Sequence, residues 1–248
     1  SSTSISAAVG FAAAKKLNGQ LGDVIAVIGD GAMTGGLAYE GLNNIVHAGN
    51  KVIVILNDNE MSISRNVGGI SLYLSKLVSR KSYFMFKDGV ERLLKSIPLI
   101  GKYLFRFAVY TKNSMRRLLL HNTIFEDMGL RYLGPVDGHN MRQVLTVLQR
   151  AKHVKESVVV HFYTKKGKGC PAAEQNPGSY HSTSSFDIDH MVTEQAPVPS
   201  YSSIFGQILC RLAKGDSRIC GVTAAMTAGT GMEQFAKQFP DRFFDVGI

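Results

Sequence analysis

The sequence lacks any long apolar run, and this absence excludes a membrane-spanning helix. No stretch approaches the roughly 18 to 20 consecutive apolar residues that such a helix needs. The N-terminus, Ser1-Ser2-Thr3-Ser4-Ile5-Ser6, has neither an initiator Met nor the charged region that opens a signal peptide. With 248 residues, 45% of them hydrophobic, the chain can bury a core. We therefore expect a soluble, globular, cytoplasmic protein that binds no membrane, and a chain that is a fragment.

Cysteine is also scarce. Cys170, Cys210 and Cys220 lie far apart, form no Cys-x-x-Cys pair and leave an odd thiol over. This pattern argues against a disulfide scaffold and against a zinc site. It fits a reducing compartment, with buried or incidental thiols.

Acidic residues are nearly absent from one segment. The segment from Arg65 to Leu120 contains twelve Lys and Arg residues, and its only acidic residues are Asp88 and Glu91. Its net charge is therefore +10, while that of the whole chain is +9. The rest of the chain is therefore about neutral. No aromatic-rich nucleic-acid motif accompanies the surplus, so we expect no nucleic-acid partner. The segment has helical spacing, and a solvated helix face and a membrane-surface element stay open for it.

Strand and helix patterns alternate along the chain. The apolar runs Val24–Ile28 and Val52–Leu56 predict buried parallel strands, and the stretch from about Gly35 to His47 predicts a helix between them. Further predicted elements are a helix at Ser4–Leu17, a helix near Thr123–Met128, a strand at Arg131–Leu133, a turn at Gly134–His139, a helix at Asn140–Lys152 and a strand at Val158–Tyr163. The predicted fold class is α/β, a mostly parallel sheet with helices on both faces.

Composition predicts the domain boundaries. Residues 1–166 form the sheet domain, with a basic helical insertion at about 65–120. Residues 167–200 are rich in Gly, Pro, Ser and Thr and form a loop and linker. Residues 201–248 start a second α/β domain whose sheet stops after two strands, so we expect it to be truncated or completed by another chain.

Two polar motifs follow the two predicted strands. Gly29-Asp30-Gly31 comes after the first strand and Asn57-Asp58-Asn59 after the second, and the carboxyl ends of parallel strands share one crevice. Glycines let backbone N–H groups approach a diphosphate, and Asp and Asn oxygens are ligands of Mg²⁺. Either motif alone is typical of a turn. Together they predict a magnesium-diphosphate site with Asp30 and Asn59 as protein ligands.

These motifs and their neighbours resemble the 1-deoxy-D-xylulose-5-phosphate synthase family of the transketolase superfamily. The similar strings span the chain: Ser1–Ser6, Gly29–Thr34, Ile55–Ser64, Gly134–His139, Thr164–Gly169 and Phe239–Val246. The resemblance implies a thiamine diphosphate-binding fold followed by a pyrimidine-binding-type domain. It also implies thiamine diphosphate and Mg²⁺ as cofactors, a homodimer at full length, and a basic insertion that acts as a lid near the active-site entrance.

The resemblance further implies roles for single residues. The metal ligands are Asp30, Asn59 and the carbonyl of Met61, and the cofactor contacts are Ser1, Gly31, Ala32, Asn59 and Cys170. Cys170 departs from the family, which usually has an aromatic residue there. His181 matches a catalytic histidine that steadies the oxygen of bound pyruvate. Lys165, Lys166 and Lys168 either face a phosphate or form a solvated basic loop, and we expect His139 to make a structural hydrogen bond.

The reaction implied is that of a transferase which condenses pyruvate with D-glyceraldehyde 3-phosphate, releases carbon dioxide and forms 1-deoxy-D-xylulose 5-phosphate. This product feeds isoprenoid, thiamine and pyridoxal synthesis. The family's cofactor-activating glutamate is expected just after Ile248, so the fragment is expected to be weak or inactive. Two alternatives stay open: another transketolase-superfamily enzyme, and an inactive basic binding module that retains the fold.

Overall fold

The computed structural model describes residues 1–61, 68–79, 123–178, 180–181, 186–187, 192–193 and 198–247. They belong to two compact units. The first unit comprises Ser1–Gly29, Gly35–Asp58 and Leu72–Thr164, and the second comprises Asp30–Thr34, Asn59–Ser71 and Lys165–Ile248. Of the predicted basic insertion, only residues 68–79 lie within the described part, so its role stays a prediction. The domain boundaries predicted from composition also stay a prediction.

Helices and strands alternate through most of the chain. The helices are α1 Ser4–Leu17, α2 Asp30–Met33, α3 Gly36–Ala48, α4 Gly69–Ser79, α5 Ile124–Asp127, α6 Met141–His153, α7 Pro171–Gln175, α8 Tyr201–Gly215 and α9 Glu233–Gln238. The strands are β1 Ile25–Gly29, β2 Ile53–Asp58, β3 Arg131–Asp137, β4 Val158–Tyr163, β5 Phe186–Asp187, β6 Val192–Thr193, β7 Gly221–Thr223 and β8 Phe243–Asp245.

The first unit is built on a parallel four-stranded sheet in the order β1-β2-β4-β3. Its two central strands are continuous apolar runs, because both of their faces are covered. One face packs against α6, with Ile53, Val158 and Val160 in the shared core. On β1 the side chains of the opposite face, Ala26 and Ile28, are buried, and α1 packs on this strand. The predicted α/β class, with a parallel sheet and helices on both faces, is confirmed.

Helices α1 and α3 approach each other closely. Ile5, Ala8 and Ala12 form the buried stripe of α1, at the spacing of one helix face. On α3, a Cβ added to Gly41 would come within 2.9 Å of the Ile5 side chain. The small residues of this pair therefore allow the two helices to pack closely.

Strand β3 is longer than predicted. The residue pattern predicts a strand that ends at Leu133 and a turn from Gly134 onward, but the strand continues through Asp137. The pairing with β4 shifts register between Leu133 and Val136, which is how a strand accommodates Gly and Pro. A Cβ on Gly134 would lie 2.6 Å from the His161 carbonyl oxygen. The predicted turn was wrong over residues 134–137 because β4 supplies a pairing partner that local sequence does not reveal.

The second unit has its own small core. Strands β7 and β8 pair in parallel, and α8 packs on α9 through buried Cys210, Ala213, Met232 and Phe235. The two strands predicted for residues 201–248 are present as β7 and β8. The segment at 167–200 contains more structure than the predicted loop, since α7 and the antiparallel pair β5 and β6 form within it.

Candidate functional site: two loops after adjacent strands and a glycine-lysine loop

Asp30 is the first residue after β1 and begins α2. Only 3% of its surface is exposed, although an ionised carboxylate loses much of its hydration when it is buried. The hydroxyl of Thr34 donates to the carbonyl of Gly31 at 2.7 Å and closes this short turn. Gly31 is buried and Ala32 is half-buried. The negative charge of a buried carboxylate must be compensated by a cation or by hydrogen-bond donors.

Asn59 follows β2 directly and lies in the same compact unit as Asp30. Its side-chain oxygen Oδ1 accepts a hydrogen bond from the backbone N–H of Met61 at 3.0 Å, with Glu60 between them at a φ of 60°. This turn fixes the direction of the Asn59 amide, and its oxygen keeps a second lone pair. The loop therefore brings together two of the predicted metal-binding residues.

The donor set suits magnesium. A carboxylate from Asp30, an amide oxygen from Asn59 and a main-chain carbonyl from Met61 are hard oxygen donors, which Mg²⁺ prefers over nitrogen and sulfur. Within the described residues, no three His, Cys, Asp or Glu side chains form a metal-binding group. The residues present therefore fit magnesium, with phosphate oxygens or water as further ligands.

Two hydrogen bonds from Thr164, the residue after β4, anchor the end of β2. The hydroxyl of Thr164 donates to Oδ1 of Asn57 at 2.9 Å, and its backbone N–H donates to the carbonyl of Asp58 at 2.7 Å. These bonds hold the chain immediately before Asn59. The first two residues of the Asn57-Asp58-Asn59 motif are thus fixed to the end of the sheet.

Asp58, His161 and Tyr132 form a buried chain of hydrogen bonds that the sequence pattern did not predict. Nε2 of His161 lies 3.0 Å from Oδ2 of Asp58, and Nδ1 lies 2.7 Å from the hydroxyl of Tyr132. His161 is fully buried and Asp58 is 2% exposed. Burial raises the pKa of Tyr132 above its usual range, with Asp58 among the negative charges that add to the effect. One signal was available, because a histidine inside the apolar run of β4 needs buried partners.

The glycine-lysine loop, residues Lys165–Gly169, is clamped by Glu174 of α7. One carboxylate oxygen of Glu174 accepts from the backbone N–H of Gly169 at 2.9 Å, and the other accepts from the Lys165 ammonium. These bonds hold the pKa of Glu174 below its usual range, with the Lys165 bond contributing most. Gly167 has a φ of +76°, and a Cβ there would lie 2.7 Å from the backbone of Ala173. The loop is therefore fixed at both ends and in its middle.

Lys166 points from this loop to His181. Its ammonium nitrogen Nζ lies 2.7 Å from Nδ1 of His181. Burial lowers the pKa of Lys166, and the negative charge of Asp30 opposes that shift. The predicted catalytic histidine and the predicted metal ligand thus influence one lysine.

The remaining predicted residues have simpler surroundings. Cys170 is half-buried at the N-cap of α7, and its thiol makes no capping hydrogen bond. Ser1 is exposed and belongs to the first unit. The backbone N–H of His139 donates to Asp137 at 3.0 Å in the turn before α6. Among the described helices, none is both long and apolar enough to cross a membrane.

These features define a class of protein: a parallel α/β protein in which oxygen-bearing side chains, those of Asp30 and Asn59, immediately follow two adjacent strands. Residues 1–164 match the family described as 1-deoxy-D-xylulose-5-phosphate synthase. The chain belongs to that family. The match separates it from the other transketolase-superfamily enzymes that the sequence had left open.

Curated relatives agree over the whole chain. The synthase of Symbiobacterium thermophilum is 51% identical over 247 residues, covering 100% of this chain and 38% of the relative. The synthase of Clostridium kluyveri is 48% identical over 248 residues, covering 100% and 40%. The chain thus spans about two fifths of the length of these relatives. A crystal structure of transketolase from Campylobacter jejuni is 16% identical, with a TM-score of 0.39, and the match covers 98% of this chain and 43% of that one.

Proposed function

We propose that this chain is the part of a 1-deoxy-D-xylulose-5-phosphate synthase that anchors thiamine diphosphate through Mg²⁺. The observation that carries the proposal is the buried carboxylate of Asp30, in one compact unit with the amide oxygen of Asn59. Asp30, Asn59 and the Met61 carbonyl would hold the metal, and the backbone around Gly31 and Ala32 would face the diphosphate. Ser1 and Cys170 are proposed as further cofactor contacts.

The proposed reaction of the whole protein is the decarboxylative condensation of pyruvate with D-glyceraldehyde 3-phosphate. Family membership supports it. Bound thiamine diphosphate would supply the electron sink for decarboxylation. The residues of this chain would fix its position, which lowers the entropic cost of the reaction. His181 would steady the oxygen of bound pyruvate, and the product would enter isoprenoid, thiamine and pyridoxal synthesis.

We also propose a homodimer in the cytoplasm at full length. Helix α8 carries an exposed apolar stripe formed by Ile204, Phe205, Ile208 and Leu212, which suits a protein interface. The three free cysteines support a reducing compartment. The molar mass of the full-length protein in solution tests the dimer.

Removing the Asp30 carboxylate tests the anchor. We expect the chain to bind thiamine diphosphate in calorimetric titrations with Mg²⁺ but not with EDTA, and Asp30→Ala to lose this binding because the metal loses its one carboxylate ligand. Asp23→Ala is the matched control. It also removes one carboxylate, but Asp23 is exposed, and its carboxylate pairs with Lys51 at 3.6 Å. Equal affinity in Asp30→Ala and the unmodified chain would refute the proposed site.

A further inference from the structure

We propose that Lys166 fixes the tautomer of His181, so that the imidazole carries its hydrogen on Nε2, and that Glu174 is the residue that positions Lys166 for this role. The tautomer follows from contacts within the second unit. Only its use in catalysis, as a hydrogen-bond donor to substrate, rests on the proposed function.

The chemistry of the two groups decides the direction of the hydrogen bond. An ammonium group has three donors and no acceptor, so the 2.7 Å contact requires a lone pair on Nδ1 of His181. A neutral imidazole has one N–H, and it must then reside on Nε2. Burial lowers the pKa of Lys166, and the negative charge of the Asp30 carboxylate opposes this shift and favours the charged, donating form. Bonds from charged donors are also the stronger ones.

Both partners of this contact have anchored backbones. Glu174 holds Gly169 and Lys165 on either side of Lys166, and the backbone N–H of Lys168 donates to the carbonyl of Lys165 at 3.2 Å. The backbone N–H of His181 donates to the carbonyl of Gly178 at 3.2 Å. The backbone of Lys166 is therefore already ordered, and the contact with the imidazole costs only the conformational entropy of the side chain.

The consequence for a ligand is a restricted chemistry. With the hydrogen on Nε2, His181 offers an N–H donor to an oxygen acceptor such as the carbonyl or carboxylate of a 2-oxo acid. The same nitrogen is not available as a base in this tautomer. The inference thus assigns His181 a donor role and makes Lys166 and Glu174 positioning residues rather than catalytic ones.

The ¹⁵N chemical shifts of the His181 ring report the tautomer directly, without cofactor or substrate. We expect the 248-residue chain, at about pH 8.5, roughly two pH units above the ordinary His pKa, to show an unprotonated Nδ1 and a protonated Nε2. Loss of the signals in His181→Gln identifies them. In Lys166→Met the ratio of Nε2–H to Nδ1–H tautomers should fall about tenfold, which corresponds to ~1.4 kcal/mol.

Three further variants separate the parts of the proposal. Lys168→Met is the matched control, an exposed lysine of the same loop, and it should leave the ratio unchanged. Lys166→Arg keeps a cationic donor and should retain most of the ratio. Glu174→Gln should shift the ratio in the same direction as Lys166→Met, but less.

Two results would overturn the proposal: a predominant Nδ1–H form in the unmodified chain, or an unchanged ratio in Lys166→Met. A Glu174→Gln ratio equal to that of the unmodified chain would remove Glu174 from it. Because no cofactor is added, these outcomes are distinct from a failure of magnesium-dependent cofactor binding.

Discussion

Among single residues, the buried chain of Asp58, His161 and Tyr132 shows how the sheet tolerates polar groups in its interior. A carboxylate only accepts, so Nε2–H of His161 donates to Asp58 and the Tyr132 hydroxyl donates to Nδ1. Every polar atom along this line has a partner. The three residues belong to β2, β4 and β3, and the chain of bonds therefore ties three strands together.

Removing the Tyr132 hydroxyl should show how much this network contributes to the free energy of unfolding. Tyr132→Phe leaves Nδ1 of a fully buried histidine without its donor, which we expect to lower the free energy of unfolding by about 1–3 kcal/mol. Urea denaturation followed by circular dichroism measures the change. Tyr201→Phe is the control, because Tyr201 is 96% exposed, and it should change stability by less than about 0.5 kcal/mol. Equal losses in the two variants would contradict the prediction.

Functional residues next to strand ends were easier to predict from the sequence than polar contacts inside strands. Asp30 and Asn59 were predicted because Gly, Asp and Asn directly after an apolar run indicate a ligand-binding loop in a parallel sheet. The pairing of His161 with Asp58 joins residues 103 positions apart. It depends on the register between β2 and β4, which residue types alone do not specify.

Among the elements, the end of β8 organises the loop that follows β7. Asp245 accepts hydrogen bonds from the backbone N–H groups of Ala225 at 2.7 Å and Gly247 at 3.0 Å, and from the Thr227 hydroxyl at 2.8 Å. Ala225 has a φ of 57°, a left-handed conformation that costs a non-glycine residue energy. The carboxylate offsets this cost by holding the loop.

The Asp245 carboxyl should make the stability of the protein depend on pH in the acid range. Slight desolvation of the exposed Asp245 carboxyl raises its pKa, but its three hydrogen bonds outweigh this effect and hold the pKa below the usual range. Such a carboxyl stabilises the fold above its unfolded pKa of about 3.9 and loses that contribution as pH falls through the folded pKa. We expect Asp245→Asn to lower Tm at neutral pH and to flatten the profile of Tm between about pH 5 and pH 2.

Thermal unfolding across this pH range measures the effect. Asp241→Asn is the control, because Asp241 is exposed in the 3₁₀ turn immediately before β8. A Tm profile for Asp245→Asn that runs parallel to that of the unmodified chain would show that the carboxyl does not provide this linkage.

The bounds of an element could be predicted where its apolar pattern is clear. They could not be predicted where pairing with another strand sets them. Strand β4 was predicted at its observed bounds, Val158–Tyr163, because its apolar run is continuous. Strand β3 was predicted too short, because Gly134 and Pro135 have the composition of a turn. Pairing with β4 decides this case.

At the scale of the whole molecule, the alternation of strands and helices predicted a parallel sheet covered on both faces. The grouping of residues into units was not predictable in the same way. Asp30–Thr34 and Asn59–Ser71 leave the ends of strands in the first unit yet belong to the second. Composition changes along a chain indicate linkers, but they do not indicate which loops group together in space.

The positive charge of the molecule offers a test of the alternative function, a basic binding module. We expect the chain, with its +9 charge, to bind duplex DNA at most at low salt and to release it near 150 mM, because non-specific contacts depend on counterion release. Fluorescence anisotropy of a labelled duplex between about 20 and 200 mM salt measures this. Micromolar binding that persists at physiological salt would favour the alternative.

The close contact at Gly167 has a consequence for the mutational tolerance of the loop. At Gly167 the backbone is left-handed and the space for a Cβ is filled by Ala173, whereas at Gly169 the backbone is left-handed but the space is open. Saturation mutagenesis should therefore find Gly167 intolerant of every replacement, while Gly169 accepts Asn, which adopts left-handed geometry at low cost. Two glycines in one loop would then have different substitution spectra, and the sequence string alone does not distinguish them.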